Sequence, residues 1–183
     1  MEIATLAGGC FWCTEAIFKR LKGVISVTPG YSGGSTEKPT YEEVSSGRTG
    51  HAETIQIEFD STKISFDKIL DVFWHTHNPT TLNMQGYDIG TQYRSIIFYH
   101  DEKQREVAEK SKKELEQWGV FKDKIVTQIV PFKNFYPAEE YHKDYFEKNS
   151  NAPYCTFVIT PKIQKLFEKY GDEVRQEFTY ETK

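Results

Sequence analysis

Cysteine is scarce in this chain: three occur in 183 residues, two of them in a single C-x-x-C. That is not the disulfide framework of a small secreted protein. No apolar run approaches the roughly 20 residues needed to span a bilayer. No basic segment and apolar run of the signal-peptide kind separates Met1 from the first strand. Positive charge is not in excess either. The net charge of −4 lacks the footprint expected for nucleic acid or anionic membranes. Internal repeats and low-complexity linkers are missing. These absences leave a soluble enzyme of the cytoplasm, where thiols stay reduced. Its 183 residues suit one catalytic domain, residues 1–183, with a sizeable core and an expected monomeric state.

Among what is present, Gly9-Cys10-Phe11-Trp12-Cys13 is the most informative segment. It lies where a short apolar strand at residues 3–7 gives way to a helix at roughly residues 11–21. Gly8-Gly9 permits a sharp turn, and the helix start offers free N–H groups and a partial positive charge. Cys10 is therefore expected to ionise more readily than a reference thiol, which with a pKa of about 8.5 is only about 3 % thiolate at pH 7. The competing reading is packing. Cys10, Cys13, Ile17 and Leu21 follow helical spacing and could form a core stripe. Packing rarely calls for a thiol at a helix mouth behind two glycines, so Cys10 is read as a nucleophile. Cys13 stays open between the two roles.

The rest of the chain alternates strands and helices. Residues 24–28 read as a strand entering the loop Pro29-Gly30-Tyr31-Ser32-Gly33-Gly34, and residues 54–59 alternate with Ile55, Ile57 and Phe59 on one face. Residues 65–76 form an amphipathic helix through Phe66, Ile69, Leu70, Phe73 and Trp74. A loop through Gly86 and Gly90 leads to a strand at residues 96–99. Asp101 caps a long helix that buries Val107, Ser111, Leu115 and Trp118 and stops at Gly119. Residues 125–130 read as a strand, Pro137 opens a helix ending near Asn149, residues 156–159 read as a short strand, and a last helix follows Pro161. The pattern indicates an α+β sandwich with split βαβ units and additional helices and loops.

Aromatic residues make up 15 % of the chain. Tyr31, Tyr87 and Tyr93 fall in glycine-rich loops, where they could line a binding site or pack on the surface. Strand parity carried back from Phe59 places Glu53 on the apolar face. There, lost hydration would raise its pKa and keep it protonated near neutral pH. If the strand begins later, Glu53 is an ordinary solvated glutamate, and parity alone does not decide. His75 and His77 are two apart and point in different directions on a helix. A zinc site joining them to Cys10, Cys13 and His142 would need a tertiary coincidence, so no metal ligands are assigned. His77 continues the Phe73-Trp74 face and reads as a satisfied core histidine.

Six segments then occur together in order: Gly9-Cys10-Phe11-Trp12, Gly30-Tyr31-Ser32-Gly33-Gly34, Pro39-Thr40-Tyr41, Thr49-Gly50-His51-Ala52-Glu53, Gly90-Thr91-Gln92-Tyr93-Arg94-Ser95 and Ala138-Glu139-Glu140-Tyr141-His142. On these motifs the chain closely resembles the A-type peptide methionine sulfoxide reductases, from Ile3 to about Lys169. The resemblance implies a ferredoxin-like α/β sandwich and the reduction of methionine S-sulfoxide, free or in proteins, without a cofactor. By resemblance Cys10 is the attacking thiolate and Glu53 the acid that protonates the sulfoxide oxygen. Tyr41 and Tyr93 hydrogen-bond that oxygen, Asp88 anchors the substrate main chain through water, and Phe11 and Trp12 hold the ε-methyl group. The family chemistry leaves a sulfenic acid on Cys10, which a second thiol converts to a disulfide and thioredoxin reopens. His51 and His142 support the site.

Cys13 is a departure, since many members carry glycine there and resolve with tail cysteines. Cys13 is the preferred resolving residue because it is local. Cys155 is the close alternative, and a relay through both stays open. Two other classes share parts of the pattern: a general dithiol oxidoreductase, which would not need Glu53, Tyr41 or Tyr93, and a non-catalytic aromatic cage for oxidised methionine.

Overall fold

The computed structural model describes residues 1–178. In chain order its elements are β1 (Glu2–Gly8), α1 (Phe11–Phe18), β2 (Val24–Ser32), α2 (Tyr41–Ser45), β3 (Ala52–Phe59), α3 (Phe66–Thr76), the small hairpin of β4 (Met84–Gln85) and β5 (Asp88–Ile89), β6 (Ser95–Tyr99), α4 (Glu102–Gln117), β7 (Gln128–Pro131), β8 (Tyr136–Pro137), α5 (Tyr145–Lys148), a π turn at Cys155–Ile159 and α6 (Thr160–Tyr170).

Alternating Ile and Phe positions pair the strands into one six-stranded sheet of order β7-β6-β1-β3-β2-β8. β1 runs antiparallel to β3 and β6, and β2 antiparallel to β3 and β8. β7 joins parallel to β6 at the far edge. The units β1-α1-β2 and β3-α3-β6 are split βαβ motifs: the first straddles β3 and the second straddles β1. The expected ferredoxin-like α/β sandwich is thus present. Its main core packs Phe11, Ile17 and Phe18 of α1 and Ile69, Leu70, Phe73 and Trp74 of α3 on Ile55, Ile57 and Phe59. Each such side chain contributes about 1.5–3 kcal/mol when fully buried.

Helix starts follow local chemistry. The Ser65 and Asp101 side chains accept from the backbone N–H groups of Lys68 and Gln104, and Thr40 forms a capping box with Glu43. Gly119, at φ +63°, stops α4 where expected. Trp118 is 71 % exposed rather than buried, because α4 ends one residue before it. The inward positions are Gln104, Ala108 and Leu115, with Ser111 accepting the Trp74 indole N–H at 2.7 Å.

Four other expectations change. Residues 24–28 are the start of a longer strand, and its extension carries Tyr31 into the core. The strand expected at residues 125–130 is Gln128–Pro131, and the helix expected at residues 137–149 is β8, a tight turn at Glu140–His142 and the four-residue α5. Residues 156–159 are helical, not extended. Their β-branched composition suggested a strand, but Ile159, Ile163 and Leu166 form a helical stripe whose burial outweighs that propensity. Pro161 has no N–H for the preceding turn, and the π turn at Cys155–Ile159 absorbs this loss, with Thr160 Oγ1 donating to the Cys155 carbonyl at 3.0 Å.

The loop after β2 is pinned to the entry of β3. His51 Nδ1 accepts the Gly34 N–H at 3.1 Å, and its Nε2–H donates to the Thr36 carbonyl at 2.7 Å. A β-carbon on Gly34 would lie 2.3 Å from the His51 nitrogen and 2.4 Å from the Thr49 oxygen. Gly34→Ala should therefore destabilise the protein by about 1–3 kcal/mol, seen as a lower urea midpoint at unchanged slope. An unchanged midpoint would show that this clamp is not rigid.

Candidate active site

The site forms where β1 ends and β3 begins. Antiparallel pairing sets Leu6 opposite Ile55 and Tyr31 opposite Glu53, so the last residues of β1 lie beside the first of β3. Gly9 then turns the chain at φ +94°, and a β-carbon there would strike the Gln85 side chain at 2.6 Å. Cys10 follows at the N-cap of α1 with no side-chain cap bond of its own. Glu53 supplies the missing acceptor: its Oε2 receives the Phe11 N–H at 3.0 Å.

Glu53 is 2 % exposed, so β3 does begin early enough to carry it inward. Burial pushes its carboxyl up to about 8, against the Phe11 N–H, which pulls it down; the charges of Asp88 and Cys13 push it further up. Desolvation wins over the helix start, and Glu53 holds its proton at neutral pH.

The thiols behave differently from expectation. Cys10 is 6 % and Cys13 1 % exposed. Burial, and then Cys13 and Glu53, push the Cys10 thiol well above its ordinary range. Desolvation thus overrides the helix N-terminus that was expected to lower it. The hydrogen bond from Cys10 instead lowers Cys13 to about 7, helped by Lys162. The first ionisation belongs to this hydrogen-bonded pair rather than to either sulfur alone. Cys155 joins the same buried cluster, together with Ala16, Ile159 and Ile163, and all three cysteines are unbridged.

Around the sulfurs, aromatic rings make the walls. Trp12 stacks on Tyr145 with centroids 3.7 Å apart and a 6° interplanar angle. Its indole N–H donates to His142 Nδ1 at 3.0 Å. Phe11 packs against Tyr31, Tyr41 and His142. Burial, followed by the Glu53 charge, pushes the phenols of Tyr41 and Tyr93 up, so both remain hydroxyl donors; Cys10 acts on both as well. Asp88 Oδ2 accepts the Tyr154 hydroxyl at 2.6 Å. The structure therefore brings Cys10, Phe11, Trp12, Cys13, Tyr41, Glu53, Asp88, Tyr93 and Cys155 into one region.

The structure separates two of the loop tyrosines, left open between lining a site and packing. Tyr31 is fully buried and donates to Glu139 at 3.0 Å, while Tyr87 is 97 % exposed. Sequence reasoning missed Tyr145, which clamps Trp12, and Tyr154, which touches both Asp88 and Cys13. Tyr154 had a signal, since it immediately precedes Cys155. His77 is the core histidine anticipated: its Nδ1–H donates to the Phe73 carbonyl at 2.5 Å, its Nε2 accepts from Ser95, and burial lowers it to about 4. His75 is bonded to the Asp71 carbonyl and to Tyr170.

The sequence model described as peptide methionine sulfoxide reductase matches residues 2–174. Over 175 residues the chain is 55 % identical to the peptide methionine sulfoxide reductase MsrA of Saccharolobus solfataricus, covering 96 % of this chain and 98 % of that protein. The reduced form of Mxr1 from Saccharomyces cerevisiae aligns with a TM-score of 0.78 at 38 % identity, covering 84 % of this chain and 88 % of that one. Mxr1 in complex with Trx2 aligns with a TM-score of 0.55 at 29 % identity, over 79 % of this chain and 84 % of that one.

The raised Glu53 carboxyl has a direct spectroscopic consequence. Its neutral form persists until pH rises through about 8. Difference infrared spectra should show a protonated carboxyl band at pH 7 that fades as pH rises past that point and is missing in Glu53→Gln. A Glu53 already ionised at pH 6 would contradict the burial argument.

Proposed function

Because this chain belongs to the peptide methionine sulfoxide reductase family, we propose that its site reduces methionine S-sulfoxide, free or in proteins, through Cys10, with one catalytic domain carrying every step and a thioredoxin recycling it. The observation that carries this reading is the Glu53 carboxyl, buried beside Cys10 with its Oε2 receiving the Phe11 N–H, where burial raises its pKa. A sulfoxide sulfur resists nucleophiles until its oxygen is protonated or strongly hydrogen-bonded, so the reaction needs an acid facing a thiolate across the substrate.

The steps follow from the side chains. Phe11 and Trp12 hold the ε-methyl group, Asp88 anchors the main-chain side, and the Tyr41 and Tyr93 hydroxyls receive the sulfoxide oxygen. Cys10 passes its proton to Cys13 along their shared hydrogen bond and attacks sulfur as a thiolate, while Glu53 protonates the oxygen. Methionine leaves, and the oxygen stays on Cys10 as a sulfenic acid. Cys13 then displaces that oxygen to form the Cys10–Cys13 disulfide. Cys155 shares their buried cluster, which supports a relay through it as the alternative. The existence of an Mxr1–Trx2 complex supports thioredoxin as the dithiol that reopens the bond.

A racemic methionine sulfoxide assay with dithiothreitol and chiral chromatography tests this. Fixing methyl, oxygen and main chain defines one chiral face, so consumption should stop near half with the R epimer left over. Equal loss of both epimers would overturn the assignment. Glu53→Gln should lower turnover by about 10²–10⁴-fold while Cys10 remains alkylatable.

Cys13→Ser should keep the first, methionine-releasing turnover and lose thioredoxin-supported cycling, whereas Cys155→Ser should cycle nearly normally. Peptide mass mapping after one equivalent of sulfoxide locates the disulfide. A Cys10–Cys155 bond formed at full rate in Cys13→Ser would transfer the resolving role to Cys155.

A further inference from the structure

We propose that Tyr154 is a further catalytic residue, its hydroxyl relaying the Cys13 thiol proton to Asp88 as Cys13 attacks the oxidised Cys10. This rests on the reading of Cys13 as the resolving thiol. The phenol oxygen of Tyr154 lies 3.7 Å from Cys13 Sγ and 2.6 Å from Asp88 Oδ2. A phenol has one proton, and the short bond commits it to the carboxylate. With that proton turned to Asp88, the Tyr154 oxygen keeps a lone pair free to accept from the Cys13 S–H. Three groups thus stand in series: thiol, phenol, carboxylate.

The surroundings leave Cys13 few other exits for its proton. It is almost fully buried, and the groups facing it are Cys10 from α1, Tyr154 and Lys162 from the C-terminal segment and Asp88 from β5. Lys162 favours a Cys13 thiolate, and the Asp88 charge opposes one. Sending the proton to Asp88 creates the nucleophile and removes the opposing charge in one event. The edge of Trp12, with ring centroids 5.8 Å apart, supports the Tyr154 ring in this position.

The step balances. The Cys13 S–H bond breaks, its proton goes to Tyr154, and the Tyr154 proton goes to Asp88. The Cys13 sulfur forms the S–S bond as the Cys10 S–O bond breaks. The departing hydroxide takes a proton from reprotonated Glu53 and leaves as water. Cys13 is oxidised and the sulfenic sulfur of Cys10 is reduced, so no outside oxidant is required.

Tyr154→Phe keeps the ring and removes the relay. Mixed with one equivalent of methionine sulfoxide and no reductant, the variant should slow disulfide closure at pH 6 by about 10–100-fold, well beyond any slowing of methionine release. Closure should recover as pH rises and the thiol ionises without help. In mixed H₂O/D₂O the wild-type closure rate should curve more strongly than that of Tyr154→Phe, which lacks the two relayed protons.

Closure at the wild-type rate in Tyr154→Phe at pH 6 would overturn the relay. So would a parallel loss of methionine release, which would make Tyr154 a structural support. If Cys13→Ser closes a disulfide as fast as wild type, the resolving assignment itself has failed, and the relay falls with it by a separate route.

Discussion

A carboxyl group with its proton retained, wedged under the first turn of a helix, is the constraint around which this molecule is arranged. Glu53 reaches that position only because β3 pairs antiparallel with β1 in a register that puts its inward face opposite the end of β1. The same pairing delivers Cys10 to the neighbouring position one turn later. Two opposed forces act on the carboxyl. The Phe11 N–H favours its anion, and the dry surroundings favour the acid. Burial wins, and the thiol pair reinforces the outcome: negative charge on Cys13 pushes the Glu53 proton affinity higher. Ionising the sulfur therefore helps to keep the acid loaded, and nucleophile and proton donor can coexist near neutral pH.

The second half of the chain closes this arrangement from above. Glu15, on the same helix as the thiols, accepts two bonds from the Asp144 N–H, at 2.9 and 3.1 Å. Asp144 adopts the left-handed conformation at φ +55° and forms an ion pair with Lys19. The next residue, Tyr145, lies flat on Trp12, and His142, two residues before Asp144, accepts the Trp12 indole N–H. One short, strained segment thus fixes the aromatic wall of the pocket from both sides. Arg20 extends the seam through Glu147 and the Phe146 ring. These contacts join residues more than 120 positions apart, so the pocket exists only in the folded chain.

Much of the fold was legible because its signals are local. The alternation of Ile55, Ile57 and Phe59, the stripe of α3, the Asp101 cap and the Gly119 stop each depend on neighbours in sequence, and each appears as read. Most residues of the proposed site were singled out through six ordered motifs, which the fold brings together. What failed depends on tertiary balance. Cys10 was expected to ionise easily because a helix start is visible in sequence, whereas the depth of its burial is not. Residues 156–159 have the composition of a strand, and only packing of Ile159 and Ile163 against the thiols makes them helical. Tyr145 and Tyr154 gain their importance from where the chain returns. Parity left Glu53 undecided between core and solvent until the start of β3 at Ala52 placed it.

The two borders of the sheet have a consequence for how such a protein keeps company. Its outer strands, β7 and β8, are four and two residues long and end in Pro131 and Pro137. A terminal proline has no amide hydrogen to offer a docking strand, and so short a border gives an arriving chain little to register against. Beyond β7, and along the two residues of β2 that β8 covers, the sheet therefore presents a border ill suited to extension by another chain, and the molecule's company is kept by its side chains rather than its backbone.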